Sequence, residues 1–183
     1  MMKPNRPPAP TPAPDLDLIE EAPRAVWSSG AGRLPFGGSR NDPRGFAIHP
    51  VPRLMLEDGS RRERVLETHP RWTDDGWIRG EFHLPGVAAG TRLEAEYGFF
   101  SPVGPPQTNG VLIRVGCDGV LLTEVAKRYT GSLDTLTVDL SRFTGAAART
   151  LYVEVDADGD STQDWLVWTR LTVVPGPQGS GVR

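Results

Sequence analysis

Residues Leu133 to Val174 read LDTLTVDLSRFTGAAARTLYVEVDADGDSTQDWLVWTRLTVV. Within this segment, the runs Thr135 to Leu140 and Leu151 to Val155 alternate between apolar and polar side chains. A period of two residues is typical of a strand with one buried face. A third apolar run extends from Asp164 to Val174, after a polar loop. Together the three runs predict the core of a β-sandwich and argue against a helical domain.

The rest of the chain adds further short runs of the same kind. The longest are Trp77 to Leu84 and Thr91 to Phe100. Another two, Val111 to Cys117 and Val120 to Val125, are separated by an Asp-Gly pair, which is the strongest β-hairpin signal in the chain. About eight to ten short strands joined by turns predict an all-β fold, a single jelly-roll β-sandwich of two antiparallel sheets.

Both ends of the chain differ in composition from this middle part. Residues 1–23 begin with MMKPNRPPAPTPAP, whose closely spaced prolines prevent a helix or a central strand. We expect an extended segment there, serving either as a disordered linker or as an arm that docks on a neighbouring subunit and makes a homo-oligomer. We expect residues 24–174 to form the sandwich and residues 175–183 to form a flexible C-terminal tail.

Charge and composition exclude several classes of function. The net charge is −3, and no basic field is present to attract nucleic acid. No apolar run approaches the roughly 20 residues of a membrane-spanning helix, and the N-terminus lacks the apolar core of a secretory signal. We therefore expect a cytoplasmic or particle-associated protein, or one exported by another route. The single cysteine, Cys117, excludes an internal disulfide and is expected to be buried and inert.

Several longer motifs follow one another in a recognisable order. They are ETHPRWTDDGWIRGEFHLPGVAAGTRLEAEYGFF, the Asp-Gly hairpin, LTVDLSRFTG, VEVDADGD and DWLVWTRL. This order resembles the galactose-binding-like jelly rolls, the bacterial carbohydrate-binding-module type found beside glycoside hydrolases and in large surface proteins. The resemblance covers Trp27 to Val174. It implies a non-catalytic module, many of which bind carbohydrate and often hold a structural calcium ion.

One group of candidate ligand-binding residues surrounds an aromatic side chain in a loop-like segment. Trp72 is expected to be exposed there, and the face of its ring suits the apolar face of a sugar. Arg71, Asp74 and Asp75 would supply polar contacts beside it, and Trp77 would add a second aromatic surface. The alternative is that these tryptophans fill the ends of the sandwich.

A second group is acidic and follows the strand that ends at Val155. Asp156, Asp158 and Asp160 alternate with small residues, and carboxylates in this pattern can converge on a calcium ion, which prefers oxygen ligands. The same sequence is also typical of an acidic turn. Asp164, further along, is expected to fix a loop by accepting backbone hydrogen bonds.

No catalytic constellation is visible in the sequence. The three histidines have no metal-ligand spacing with one another, and no serine lies in a nucleophile elbow. We therefore predict a non-enzymatic binding module, with carbohydrate as its ligand and calcium as a structural ion. The alternative is a structural protein whose sandwich builds a surface, tail or shell assembly and uses the proline-rich arm for subunit contacts.

Overall fold

The computed structural model describes residues 14–51 and 54–176 of the chain. The strands of the described residues are β1 (Leu16–Asp17), β2 (Val26–Ser29), β3 (Gly32–Leu34), β4 (Phe46–Ile48), β5 (Leu66–His69), β6 (Trp77–Leu84), β7 (Arg92–Phe99), β8 (Val111–Cys117), β9 (Val120–Lys127), β10 (Asp134–Asp139), β11 (Arg149–Asp156) and β12 (Leu166–Val174). A short helix, α1, covers Leu18–Glu21, and two 3-10 turns cover Ala22–Arg24 and Ser141–Phe143.

The strands form two sheets that share one core. The first sheet has the order β10-β7-β12-β5-β4, with β1 paired to the last part of β12, and the second has the order β3-β2-β6-β11-β8-β9. All of these pairings are antiparallel. From β9 to β12, successive strands alternate between the two sheets, as in a jelly roll. The predicted sandwich of two antiparallel sheets is confirmed.

Alternating apolar residues fill the space between the sheets. On β11, Leu151, Val153 and Val155 are almost fully buried. Trp168 on β12 is fully buried, and its indole nitrogen donates a hydrogen bond of 3.2 Å to the Thr68 hydroxyl on β5. The transfer of such apolar surface out of water is the main favourable contribution to folding.

The hairpin between β8 and β9 has the geometry that its sequence predicts. Asp118 and Gly119 have φ angles of 48° and 76°, which a two-residue type I′ turn requires. Cys117, directly before the turn, is fully buried, and burial raises the pKa of its thiol to about 11. The thiol is therefore protonated at neutral pH and inert, as expected.

The N-terminal segment differs from the prediction. The proline pattern predicts an arm over residues 1–23, but the structure folds residues 14–23 onto the sandwich. Asp17 caps α1 by accepting a hydrogen bond of 2.9 Å from the amide of Ile19, and Leu18 and Ile19 are buried in the core. Within the described residues, the folded part of the chain therefore includes β1 and α1. The rest of the predicted arm, residues 1–13, and residues 177–183 of the predicted tail lie outside the described residues.

The described helix is short. No helix among residues 14–51 and 54–176 is long and apolar enough to cross a membrane.

Candidate functional site

Both groups of predicted site residues lie at the same end of the sandwich. The cause is the pairing of β6 with β11, which places Trp77 opposite Asp156. The loop before Trp77 and the loop after Asp156 are therefore neighbours, and two hydrogen bonds of 2.8 Å join them, from Asp75 N to Gly159 O and from Ala157 N to Gly76 O. We call this surface the loop end. It consists of residues 38–45, 70–76, 100–110, 128–133 and 157–165.

Trp72 is exposed at the loop end, as the sequence predicts. Its side chain is 45% exposed, and its amide donates a hydrogen bond of 2.9 Å to the carbonyl of Pro43. The ring meets the edge of the buried His69 imidazole at a centroid distance of 5.9 Å. Burial lowers the pKa of His69 to about 4, so the imidazole beneath Trp72 is neutral at physiological pH. The Trp72 ring therefore packs against His69 and remains partly exposed to solvent.

The structure separates Trp72 from two of its predicted companions. Trp77 is half-buried on the second sheet, where the guanidinium of Arg79 lies 5.9 Å from its ring. Arg71 is also half-buried, and its guanidinium packs against Gly30 in the β2–β3 turn. Trp72 instead packs on β5 of the first sheet. Trp72 thus contacts the first sheet, whereas Trp77 and Arg71 contact the second, and a ligand surface shared by the five residues stays a prediction.

Asp74 and Asp75, the other two predicted companions, are exposed in the turn that follows Trp72. Asp75 has a φ of 54°, which an aspartate tolerates better than most residues. The hydrogen bond from its backbone amide to the carbonyl of Gly159 joins this turn to loop 157–165. Both carboxylates remain near Trp72 in the chain and face solvent.

The predicted calcium ligands each have a different partner. Asp156 forms an ion pair of 3.0 Å with Arg114, and Asp158 forms one of 2.7 Å with Arg128. Asp160 accepts hydrogen bonds from the amide and hydroxyl of Thr162. Within the described residues, no group of three or more His, Cys, Asp or Glu side chains is placed to hold a metal ion. As placed, the three carboxylates do not fit a calcium ion, and the calcium site stays a prediction.

Asp164 fixes loop 157–165, as expected, but its partner is a side chain and not the backbone. It is fully buried, and its Oδ1 accepts a hydrogen bond of 2.5 Å from the Thr108 hydroxyl, where backbone donors were expected. Burial raises the pKa of Asp164 to about 8, and the negative charges of Asp160 and Asp158 act in the same direction. Thr108 in turn accepts a hydrogen bond from the amide of Gly110. A protonated acid therefore joins loops 100–110 and 157–165 at neutral pH.

A cleft of about 260 Å³ lies at the loop end, and the sequence did not reveal it. We call it the Arg40 cleft. Its walls are a guanidinium, an amide, a hydroxyl and several apolar or aromatic groups, contributed by Arg40, Asn41, Leu54, Phe100, Ser101, Pro102, Val103 and Trp165. These residues come from four separate segments of the sequence, and no local pattern marks them. The nearest signal was the position of Trp165, out of phase with the buried Trp168.

Arg40 is held in place by a buried acid. Its Nη2 and Nε donate hydrogen bonds of 2.7 and 3.2 Å to Oε1 of Glu67 on β5, and its guanidinium lies 5.4 Å from the centre of the Phe100 ring. Glu67 is fully buried, and burial raises its pKa while Arg40 opposes that shift. Arg40 itself is partly exposed, with 42% of its side chain accessible. The guanidinium is thus fixed by Glu67 at one side and remains partly accessible from the cleft.

A buried ion pair organises the loops beside the Arg40 cleft. Nζ of Lys127 lies 2.9 Å from Oε1 of Glu57, and both side chains are inaccessible to solvent. Glu57 also accepts hydrogen bonds from the amides of Phe99, Thr130 and Gly131. The pair thus connects the end of β7 with loop 128–133. Such a network gives the loop end a fixed shape before any ligand binds.

Chemically, the Arg40 cleft combines flat apolar surfaces with a few directed polar groups. Trp165 supplies aromatic surface, and Phe100 is buried against Arg40. Arg40 and Asn41 supply hydrogen-bond donors, and Asn41 and Ser101 supply acceptors. This arrangement suits a small molecule that has both an apolar face and several hydroxyl groups.

Comparison with known proteins identifies the fold. No family model matches the chain, and no curated protein matches it. Among solved structures, the CBM51-2 module with GlcNAc and the INT domains of Clostridium perfringens ZmpB is 16% identical, with a TM-score of 0.56, and the match covers 90% of this chain and 32% of that one. The CBM51 module of Clostridium perfringens GH95 with methyl-galactose is 15% identical, with a TM-score of 0.55 and coverages of 88% and 100%. TmCBM61 with β-1,4-galactotriose is 12% identical, with a TM-score of 0.52, and the match covers 86% of this chain and 93% of that one.

The chain thus spans about a third of the ZmpB structure and nearly the whole of the two single modules. At these identities the similarity concerns the fold. The chain has the jelly-roll β-sandwich fold of the carbohydrate-binding modules, as the order of its sequence motifs predicted.

Proposed function

We propose that this chain is a non-catalytic module that binds carbohydrate, and that the Arg40 cleft holds one sugar residue of a glycan. The observation that carries the proposal is the cleft itself, in which aromatic, guanidinium and amide groups meet on preorganised loops. The fold adds support, because modules with this fold have been solved with GlcNAc, methyl-galactose and β-1,4-galactotriose.

The size and charge of the cleft favour one neutral sugar. Pockets for drug-sized ligands are about 300 to 1,000 Å³, and the Arg40 cleft, at about 260 Å³, is smaller. The charge of Arg40 is partly neutralised by Glu67, because the partly exposed guanidinium forms an ion pair with this buried carboxylate. An acidic sugar would therefore gain less electrostatic binding energy from Arg40 than it would from an unpaired cation. Ring hydroxyls suit the amide of Asn41 and the hydroxyl of Ser101.

Trp72 extends this surface beyond the cleft. Loop 38–45 contributes Arg40 and Asn41 to the cleft, and the same loop holds Trp72 through the carbonyl of Pro43. Trp72 therefore contacts the same loop that lines the cleft. We assign it to a second sugar residue of an oligosaccharide, stacked on its exposed ring.

Calorimetric titration of two variants tests this arrangement. Asn41→Ala removes one hydrogen-bonding group, worth about 1 kcal/mol, and should weaken the binding of methyl-galactose and of β-1,4-galactotriose about fivefold to tenfold. Trp72→Ala should weaken the binding of the trisaccharide and leave that of the monosaccharide unchanged. Both residues are exposed, so the Tm should stay within about 2 °C of the wild-type value.

Leu121→Ala is the matched control, because Leu121 is 50% exposed on β9 and lies at the opposite end of the sandwich. It should bind both sugars with wild-type affinity. Binding that survives both loop-end substitutions, or that all three substitutions weaken equally, would remove the Arg40 cleft as the site. The predicted calcium ion is not part of this proposal, because Asp156, Asp158 and Asp160 do not converge as placed.

A further inference from the structure

A larger and more apolar groove lies at the opposite end of the sandwich, which we call the far end. Its volume is about 560 Å³, roughly twice that of the Arg40 cleft. One wall consists of residues 14–16 with Val173 and Pro175, and the other consists of residues 84–88 together with Thr91 and Gly145. We call it the far groove. Among the described residues that line it, Asp15 is the only charged one.

The far groove is already formed in the structure without a ligand. Leu84, Val87 and Val173 are buried beneath it. Val87 and Gly145 exchange two backbone hydrogen bonds of 2.9 and 2.8 Å, which fix the second wall. The rim, by contrast, is exposed at Pro14, Pro85 and Gly145. A preformed apolar depression with a solvent-exposed rim is the kind of surface that binds another segment of chain.

The path of the chain places one candidate segment beside this groove. β1 is antiparallel to β12, with Leu16 opposite Val173, so residues 1–13 precede a residue, Pro14, that is itself part of the groove wall. That segment, MMKPNRPPAPTPA, contains five prolines and no acidic residue. Proline has an apolar ring and no amide hydrogen, so it can be buried against apolar surface without leaving a donor unpaired. At about 3.1 Å per residue, 13 extended residues reach about 40 Å, far more than the groove requires.

We propose that the far groove is the docking site of the chain's own proline-rich residues 1–13. Residues 1–13 are covalently attached at the groove wall, and this attachment favours them over the same segment of a second copy. A segment attached at the wall of its own site has an effective concentration in the millimolar range, whereas a second copy competes at its bulk concentration. The inference does not depend on sugar binding, because the far groove and the Arg40 cleft occupy opposite ends of the sandwich.

Fluorescence anisotropy of the full chain, labelled at its N-terminal amine, tests the proposal. Docked residues 1–13 tumble with the whole domain and give a high anisotropy. Ala88→Asp places a charge on the half-buried wall of the groove and should lower the anisotropy to that of an unattached segment. Ala147→Asp is the matched control, because Ala147 is exposed near the same end and does not line the groove. It should keep the wild-type value.

The alternative outcomes are distinct. Equally low anisotropy in the wild type and both variants would overturn the proposal. Anisotropy that rises with protein concentration, together with a doubled mass in light scattering, would show that a second copy supplies the occupant and would overturn docking within one chain. As a second measurement, the labelled peptide MMKPNRPPAPTPA should bind a chain lacking residues 2–13 at least tenfold more tightly than it binds the full chain, whose groove is already filled. Equal binding to both would contradict the proposal.

Discussion

Asp164 is a carboxylic acid that the fold keeps protonated near neutral pH. Its side chain is fully buried, and its pKa in the folded state is about 8, compared with an ordinary value of 3.8. Between these two values the folded state binds more protons than the unfolded state. The stabilisation is therefore fully present below about pH 4 and is lost as the pH rises through about 8.

Asp164→Asn should remove this pH dependence. The amide cannot ionise, and its oxygen still accepts the hydrogen bond from the Thr108 hydroxyl. We expect the Tm of the wild type to fall relative to that of the variant between pH 5 and pH 8. The comparison of the two proteins cancels the contribution of other groups, such as His69. Parallel curves of Tm against pH would show that Asp164 ionises normally in the folded state.

At the scale of elements, the loop end depends on the ion pair between Lys127 at the end of β9 and Glu57. Lys127→Met would leave Glu57 charged and buried, and breaking a buried pair in this way costs roughly 3–5 kcal/mol. Denaturant unfolding should detect this loss. The control is Arg64→Met, which breaks an exposed ion pair of 2.9 Å with Asp17 and should cost at most about 1 kcal/mol. A similar small loss in both variants would mean that the buried pair does not organise the loops.

Elements with a strong local pattern were predictable from sequence. The β8–β9 hairpin follows from Asp118-Gly119 between two apolar runs, and β11 follows from the alternation between Leu151 and Val155. The prediction of an arm over residues 1–23 rests on the prolines that dominate residues 4–14. Leu18 and Ile19 bury their side chains in the core, but two apolar residues are too few to show a period.

The same reasoning explains which parts of the candidate site were missed. The exposure of Trp72 could be predicted, since it lies between turn-forming residues. Arg40 could not, because its position depends on Glu67 and Phe100, which are distant in sequence and meet only after the two sheets assemble. The separation of Trp77 from Trp72 has a similar cause. Loop 70–76 crosses from the first sheet to the second, and sequence distance does not show that crossing.

At the scale of the whole molecule, the sandwich presents two different surfaces at its two ends. The loop end has a small cleft with directed polar groups, and the far end has a larger apolar groove beside the N-terminal segment. A ligand at one end and residues 1–13 at the other can therefore be bound at the same time. The rigid sheets between them separate the two surfaces.

The indole resonances of the five tryptophans test the central claim most directly. In a heteronuclear NMR titration with β-1,4-galactotriose, the indole signals of Trp165, in the Arg40 cleft, and Trp72, beside it, should shift with saturable dependence on sugar concentration. Trp27 and Trp168 are buried in the core and should not move. Asn41→Ala tests whether both signals report on the Arg40 cleft, because it should raise the sugar concentration at the titration midpoint of both. No change in any indole signal, or changes restricted to the other tryptophans, would contradict carbohydrate binding at the loop end.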